Sequence, residues 1–128
     1  MVTDTVVTIS EEMRNVGWFI LDKLEKNSFP VDAMFWSDFY EEDFRLFLVT
    51  SLVDSQGIGK TYDLLSDMFK DSHLDSEFGF SVYDINLIGL AHPKIDQVRR
   101  RYGVVPSDRR WVRRVSLSAG GAYVYCLK

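Results

Sequence analysis

Apolar positions recur at two periods along this chain, and the changes of period divide it into elements. Met13, Val16, Ile20 and Leu24 fall at helical spacing, with Gly17 and Leu21 beside them and Glu12, Asn15, Lys23 and Lys26 mostly outside the stripe. Thr8 followed by Glu11 fits a capping box, in which a hydroxyl and a carboxylate each take an orphan amide, so a helix is predicted to start there. Asn27 and Ser28 ahead of Pro30 end it. Residues 1 to 8 are short, polar and β-branched, and read as an arm whose order depends on contacts elsewhere.

Residues 33 to 39 and 44 to 49 form two apolar runs separated by Glu41, Glu42 and Asp43, which predicts two strands joined by a tight acidic turn. In the second run Phe44, Leu46 and Leu48 share one face and Arg45, Phe47 and Val49 the other, the two-sided pattern of a central strand. Gly57 and Gly59 interrupt the pattern, after which Tyr62, Leu65 and Met68 or Phe69 predict a short helix carrying Asp63 and Asp67 outward. Residues 71 to 79 read as a polar loop and residues 80 to 88 as a third strand broken by Asp84. Pro93 suits the first position of a third helix, with Ile95, Val98 and Tyr102 inward and Gly103 past its end. Residues 111 to 118 and 122 to 127, around Ala119, Gly120 and Gly121, predict a closing hairpin.

The predicted order is α-β-β-α-β-α-β-β. It gives one α+β domain over residues 1 to 128, with a mixed five-stranded sheet and about three helices. The 128-residue length fits a single core. No apolar run approaches the roughly 20 residues that span a bilayer, and no basic residue precedes Arg14, so the expected location is the cytoplasm, away from any membrane. Cys126 stands alone, which excludes an intrachain disulfide and fits a small buried residue on a terminal strand.

Charge changes the picture by its position. Residues 1 to 87 carry 17 acidic and 6 basic side chains, whereas residues 88 to 128 carry 2 acidic and 9 basic ones. Such a split points to an anionic partner for the basic part, to attraction between two halves of one domain, or to head-to-tail self-association.

Four groups of residues bear on chemistry. Gly57, Gly59, Lys60 and Thr61 follow an apolar strand and precede a helix, the setting of a P-loop whose amides cradle phosphates while lysine and hydroxyl serve phosphate and magnesium. The first glycine of that motif is replaced by Asp54, whose carboxylate opposes a polyphosphate. A plain strand-to-helix connection is therefore the preferred reading, and nucleotide binding the weaker alternative. Asp38, Glu41, Glu42 and Asp43 crowd a hairpin tip, where carboxylates keep a turn solvated; no metal site and no cofactor is expected there. His73 and His92 lack a neighbouring ligand or nucleophile pattern and read as structural.

The fourth group is basic: Lys94, Arg99, Arg100, Arg101, Arg109, Arg110, Arg113 and Arg114, interleaved with Tyr102 and Trp111. Guanidinium groups neutralise phosphates and stack on bases, so nucleic acid is one expected partner. The other is protein, this chain included. We expect an interaction module with no catalytic residues, whose contacts are Arg99, Arg100, Arg101, Arg109, Arg110, Trp111 and Arg113.

The chain also resembles a family of small uncharacterised bacterial proteins. The carrying positions are Ala33 with Phe35 and Trp36, the run Phe44, Arg45 and Leu46, the run Ser51, Leu52, Val53 and Asp54, then Gly57 and Tyr62, Asp84 with Ile85, Pro93 with Val98 and Arg99, and the run Ala122, Tyr123, Val124 and Tyr125. The likeness covers roughly residues 32 to 127. It implies no activity, and it implies that Lys60 and Thr61 are local variation, since the family has a glycine and a tyrosine-bearing helix there without that pair.

Overall fold

The structure, a computed structural model, describes residues 10–37, 45–93, 95–96, 100, 113–115 and 122–127. The first helix, α1 (Glu11–Lys26), is capped by Ser10, whose hydroxyl accepts the Met13 amide at 3.1 Å. Thr8, the cap expected from the sequence, lies outside the described residues. Glu11 and Glu12 in the first turn and Lys23 and Lys26 in the last complement the helix dipole. Val16, Gly17, Ile20, Leu21 and Leu24 make its buried face.

Strands β1 (Ala33–Ser37) and β2 (Arg45–Val49) pair antiparallel, with Phe35 opposite Phe47. The acidic turn between them, with Asp38, Glu41, Glu42 and Asp43, lies outside the described residues. From β2 the chain crosses over through α2 (Ser51–Gln56), α3 (Ile58–Met68), α4 (Leu74–Phe78) and a 3-10 turn (Val82–Asp84) to β3 (Ile85–Ile88), which pairs parallel to β2. The final strands, β4 (Arg113–Val115) and β5 (Ala122–Leu127), pair antiparallel, and β5 also pairs antiparallel with β1. The order across this mixed sheet is β3-β2-β1-β5-β4.

The α+β class and the mixed sheet agree with expectation, but the helical content does not. Four α-helices, α1 to α4, are delimited among the described residues, and two of them, the short α2 and α4, occupy stretches that the sequence predicts as connections. The first, α2, forms because Thr50 accepts the Leu52 amide at 3.2 Å and Asp32 accepts the Ser51 amide at 3.0 Å, which satisfies donors its six residues leave unpaired. The second, α4, lies inside the predicted polar loop and is anchored by buried Leu74. The third predicted strand is shorter than residues 80 to 88, because Ser81 and Asp84 form a capping box around the 3-10 turn. Of the predicted third helix, Pro93, Ile95, Asp96 and Arg100 are helical and Ile95 is buried; the remainder lies outside the described residues.

Both faces of the sheet are apolar and buried. Met34, Trp36, Leu46, Leu48, Ile85, Leu87, Tyr123 and Tyr125 join the α1 stripe in one core. Phe35, Phe47, Val49 and Val124 are buried on the opposite face, as the two-sided pattern of β2 requires. Cys126 is buried too. At the centre the Tyr125 hydroxyl accepts from Trp36 Nε1 at 3.0 Å and donates to the Arg14 carbonyl at 2.9 Å, so it ties β5 to β1 and to α1. Gly17 faces that ring, and a Cβ there would overlap the phenol.

Candidate interaction surface

The P-loop-like residues fold into a junction between helices rather than a loop. Gly57 alone separates α2 from α3, with φ 91° and ψ 164°, a conformation that glycine adopts without strain. Gly59, Lys60 and Thr61 already lie within α3, and the buried Thr61 hydroxyl donates back to the Gly57 carbonyl at 2.7 Å. Asp54 sits on α2, and its carboxylate accepts the Leu90 amide at 2.7 Å, which fastens the turn after β3 to the crossover.

That crossover packs α3 against the 3-10 turn and brings Tyr62 to the start of β3. Thr50 donates to the Ile88 carbonyl on the β2 side, and successive residues of a strand alternate the direction of their backbone groups. Ile85 and Leu87 therefore present theirs to the outer edge. Tyr62 covers that edge: its hydroxyl donates to the Ile85 carbonyl and also meets the Leu87 backbone. Burial pushes the Tyr62 phenol above its ordinary value, and the Leu87 contact partly opposes this.

A rim of apolar side chains follows the same edge. Tyr83, just before β3, is 63% exposed and packs its ring 5.6 Å from Tyr62. Ile58, one helical turn before Tyr62 on α3, is 49% exposed, and Leu90, just past β3, is 38% exposed. Asp54, Asp63 and Asp84, on α2, α3 and the 3-10 turn, are exposed as well, and Asp54 and Asp84 accept the Leu90 and Ser81 amides. A shallow hollow of about 190 Å³ runs from Tyr83 past Ser66 to Lys70, and a second of about 370 Å³ continues between Lys70 and His73. Capped backbone groups leave no row of free amides for an added strand, so this rim can engage a partner only through side chains.

The basic residues are placed in part. Arg100 is exposed on helical backbone, and Arg113 lies on β4, at the other end of the sheet from β3. Arg99, Arg101, Arg109, Arg110 and Trp111 lie outside the described residues. His73 is exposed in a left-handed conformation ahead of α4, and His92 is half-buried ahead of Pro93. Among the described residues, no group of three or more His, Cys, Asp or Glu side chains could hold a metal ion. No helix among them is long and apolar enough to cross a membrane.

The rim is not legible in the sequence, whose pattern predicts a strand at Tyr83 and a strand-to-helix connection at Ile58. The spacing of Ser81 and Asp84 was the available signal, since a capping box there ends the strand and frees Tyr83. Comparison with family models, with curated proteins and with solved structures returned no match.

Proposed function

We propose that this chain is a non-catalytic interaction module that acts in the cytoplasm by binding protein. The observation that supports this reading is the acidic, apolar rim along β3, where Ile58, Tyr83 and Leu90 stand exposed beside a strand edge already capped by Tyr62. Scattered exposed apolar residues are ordinary, but three that follow one strand edge fit a contact surface. Aromatic residues in such rims bury large area at small entropic cost. The basic segment supplies a second contact region through Arg99, Arg100, Arg101, Arg109, Arg110, Trp111 and Arg113.

The test is capture of protein partners on the immobilised chain. Tyr83→Ala with Ile58→Ser is expected to reduce capture at least about tenfold, the loss of one to two good contact residues. Reversing Arg99, Arg100 and Arg101 to Glu is expected to weaken it as well. Full capture by both variants, or retention on nucleic acid at low salt that declines steeply as salt rises, would overturn the reading.

A further inference from the structure

We propose that the groove between α3, the 3-10 turn and α4 binds a basic segment of a partner protein, one that presents arginine and apolar side chains to the same side. This rests on the interaction reading above and names the chemistry of the partner.

The surface of the crossover is acidic. Residues 51 to 90 carry seven acidic and two basic side chains, and all seven acidic ones are exposed. Two of the seven serve the fold directly, since Asp54 accepts the Leu90 amide and Asp84 the Ser81 amide. Among the described residues, no ion pair takes up the carboxylates of Asp63, Asp67, Asp71, Asp75 or Glu77. A cationic partner finds complementary charge there, whereas a nucleic-acid phosphate is repelled by it.

Apolar surface lies beside that charge. Buried Phe69 and Leu74 floor both hollows, and Val82 adds to the floor of the one that reaches Tyr83. The larger hollow, of about 370 Å³, sets Asp71 and Asp75 against Lys70, which leaves its margin negative. An apolar floor with carboxylates at its margin matches the two parts of an arginine side chain. The methylene stem lies on hydrophobic surface while the guanidinium meets the carboxylates.

The helix aligns these features. Ile58, Tyr62 and Ser66 are spaced four apart on α3 and fall on one line along it. Tyr83 packs 5.6 Å from Tyr62 and is 63% exposed, so most of its ring is open to a stacking guanidinium. Ser66 lines the hollow beside Tyr83, and that hollow shares Lys70 and Asp75 with the larger one. A segment laid along this line meets exposed Ile58 first, the Tyr83 ring next, and the acidic hollows last. Because Tyr62 closes the strand edge, the contact is made by side chains and does not extend the sheet.

Fluorescence anisotropy on the purified full chain tests this, with a labelled peptide of Arg-Ser-Leu-Ser repeats. In an extended chain that pattern turns arginine and leucine to one side. Binding is expected at a Kd of about 10–100 µM in about 150 mM salt, as suits a small contact surface. Replacing every leucine of the peptide by serine is expected to weaken it at least about tenfold, and replacing every arginine by glutamate to abolish it. Tyr83→Ala, and separately Asp71→Asn with Asp75→Asn, are each expected to weaken it about five- to tenfold. Glu12→Gln with Glu25→Gln, the same change of charge on α1, is expected to leave it unaltered. Amide shifts on the native chain, which need no variant, are expected at Ser66, Lys70, Leu74 and Tyr83 when peptide is added. No binding even at about 50 mM salt, equal binding of the leucine-free peptide, an equal loss in the α1 variant, or shifts centred on α1 would overturn the proposal. A photo-crosslinker at position 83 that joins two copies of the native chain would make the occupant a second copy and overturn it too. Protein capture that depends on Tyr83 without any binding of the peptide would refute the basic segment and leave the interaction reading standing.

Discussion

Tyr125 joins three elements through one hydroxyl, and two predictions follow from its place. The ring lies across Gly17 with Trp18 edge-on at 4.8 Å, while the oxygen accepts from Trp36 and donates to Arg14. Gly17→Ala puts a methyl where the phenol sits, and is expected to cost about 1–3 kcal/mol through forced repacking. An unchanged urea midpoint would refute the contact. Tyr125 and Tyr62 are both raised above the ordinary tyrosine value of about 10 by burial. The folded chain keeps protons that the unfolded chain has released, so stability holds below about pH 10 and falls as pH rises beyond it. Tyr125→Phe removes one of the two groups and is expected to flatten the alkaline slope of stability against pH; an equal slope in both proteins would refute the assignment. The sequence placed Tyr125 on a terminal strand and Gly17 on the helix stripe. Only folding set them against each other, because 108 positions separate them in the chain.

At the scale of elements, the glycines of the apparent phosphate loop divide into two kinds. Gly57 holds φ 91° between α2 and α3, whereas Gly59 is an ordinary helical residue with open space where a Cβ would stand. Gly57→Ala is expected to cost about 1–3 kcal/mol through backbone strain. Gly59→Ala is expected to add about 0.5–1 kcal/mol, since alanine loses less entropy in a helix. Thermal melts of the two variants should move in opposite directions; matching shifts would contradict the junction. α1 and α3 were legible because their stripes run through several turns of repeating apolar positions. α2 and α4 were not, since five or six residues give fewer than two periods, and their stability comes from Asp32, Thr50 and the burial of Leu74.

For the whole molecule, the decisive arrangement is the insertion of β1 between β2 and β5. It puts β3, with the crossover that leads to it, at one edge of the sheet and β4 at the other. The amino-acid sequence determined the apolar faces of β1, β2 and β5, the burial of Cys126 and Ile95, and the division of charge between the two parts of the chain. Those properties are local, carried by the alternation and composition of neighbouring residues. Tertiary structure alone decided which strands became edges, turned Asp54 from a misplaced phosphate-loop residue into the acceptor for Leu90, and lined Ile58, Tyr62 and Tyr83 along β3. Each of these depends on pairings between residues more than twenty positions apart, whose order is selected by burial on both faces of one sheet and by no short-range pattern.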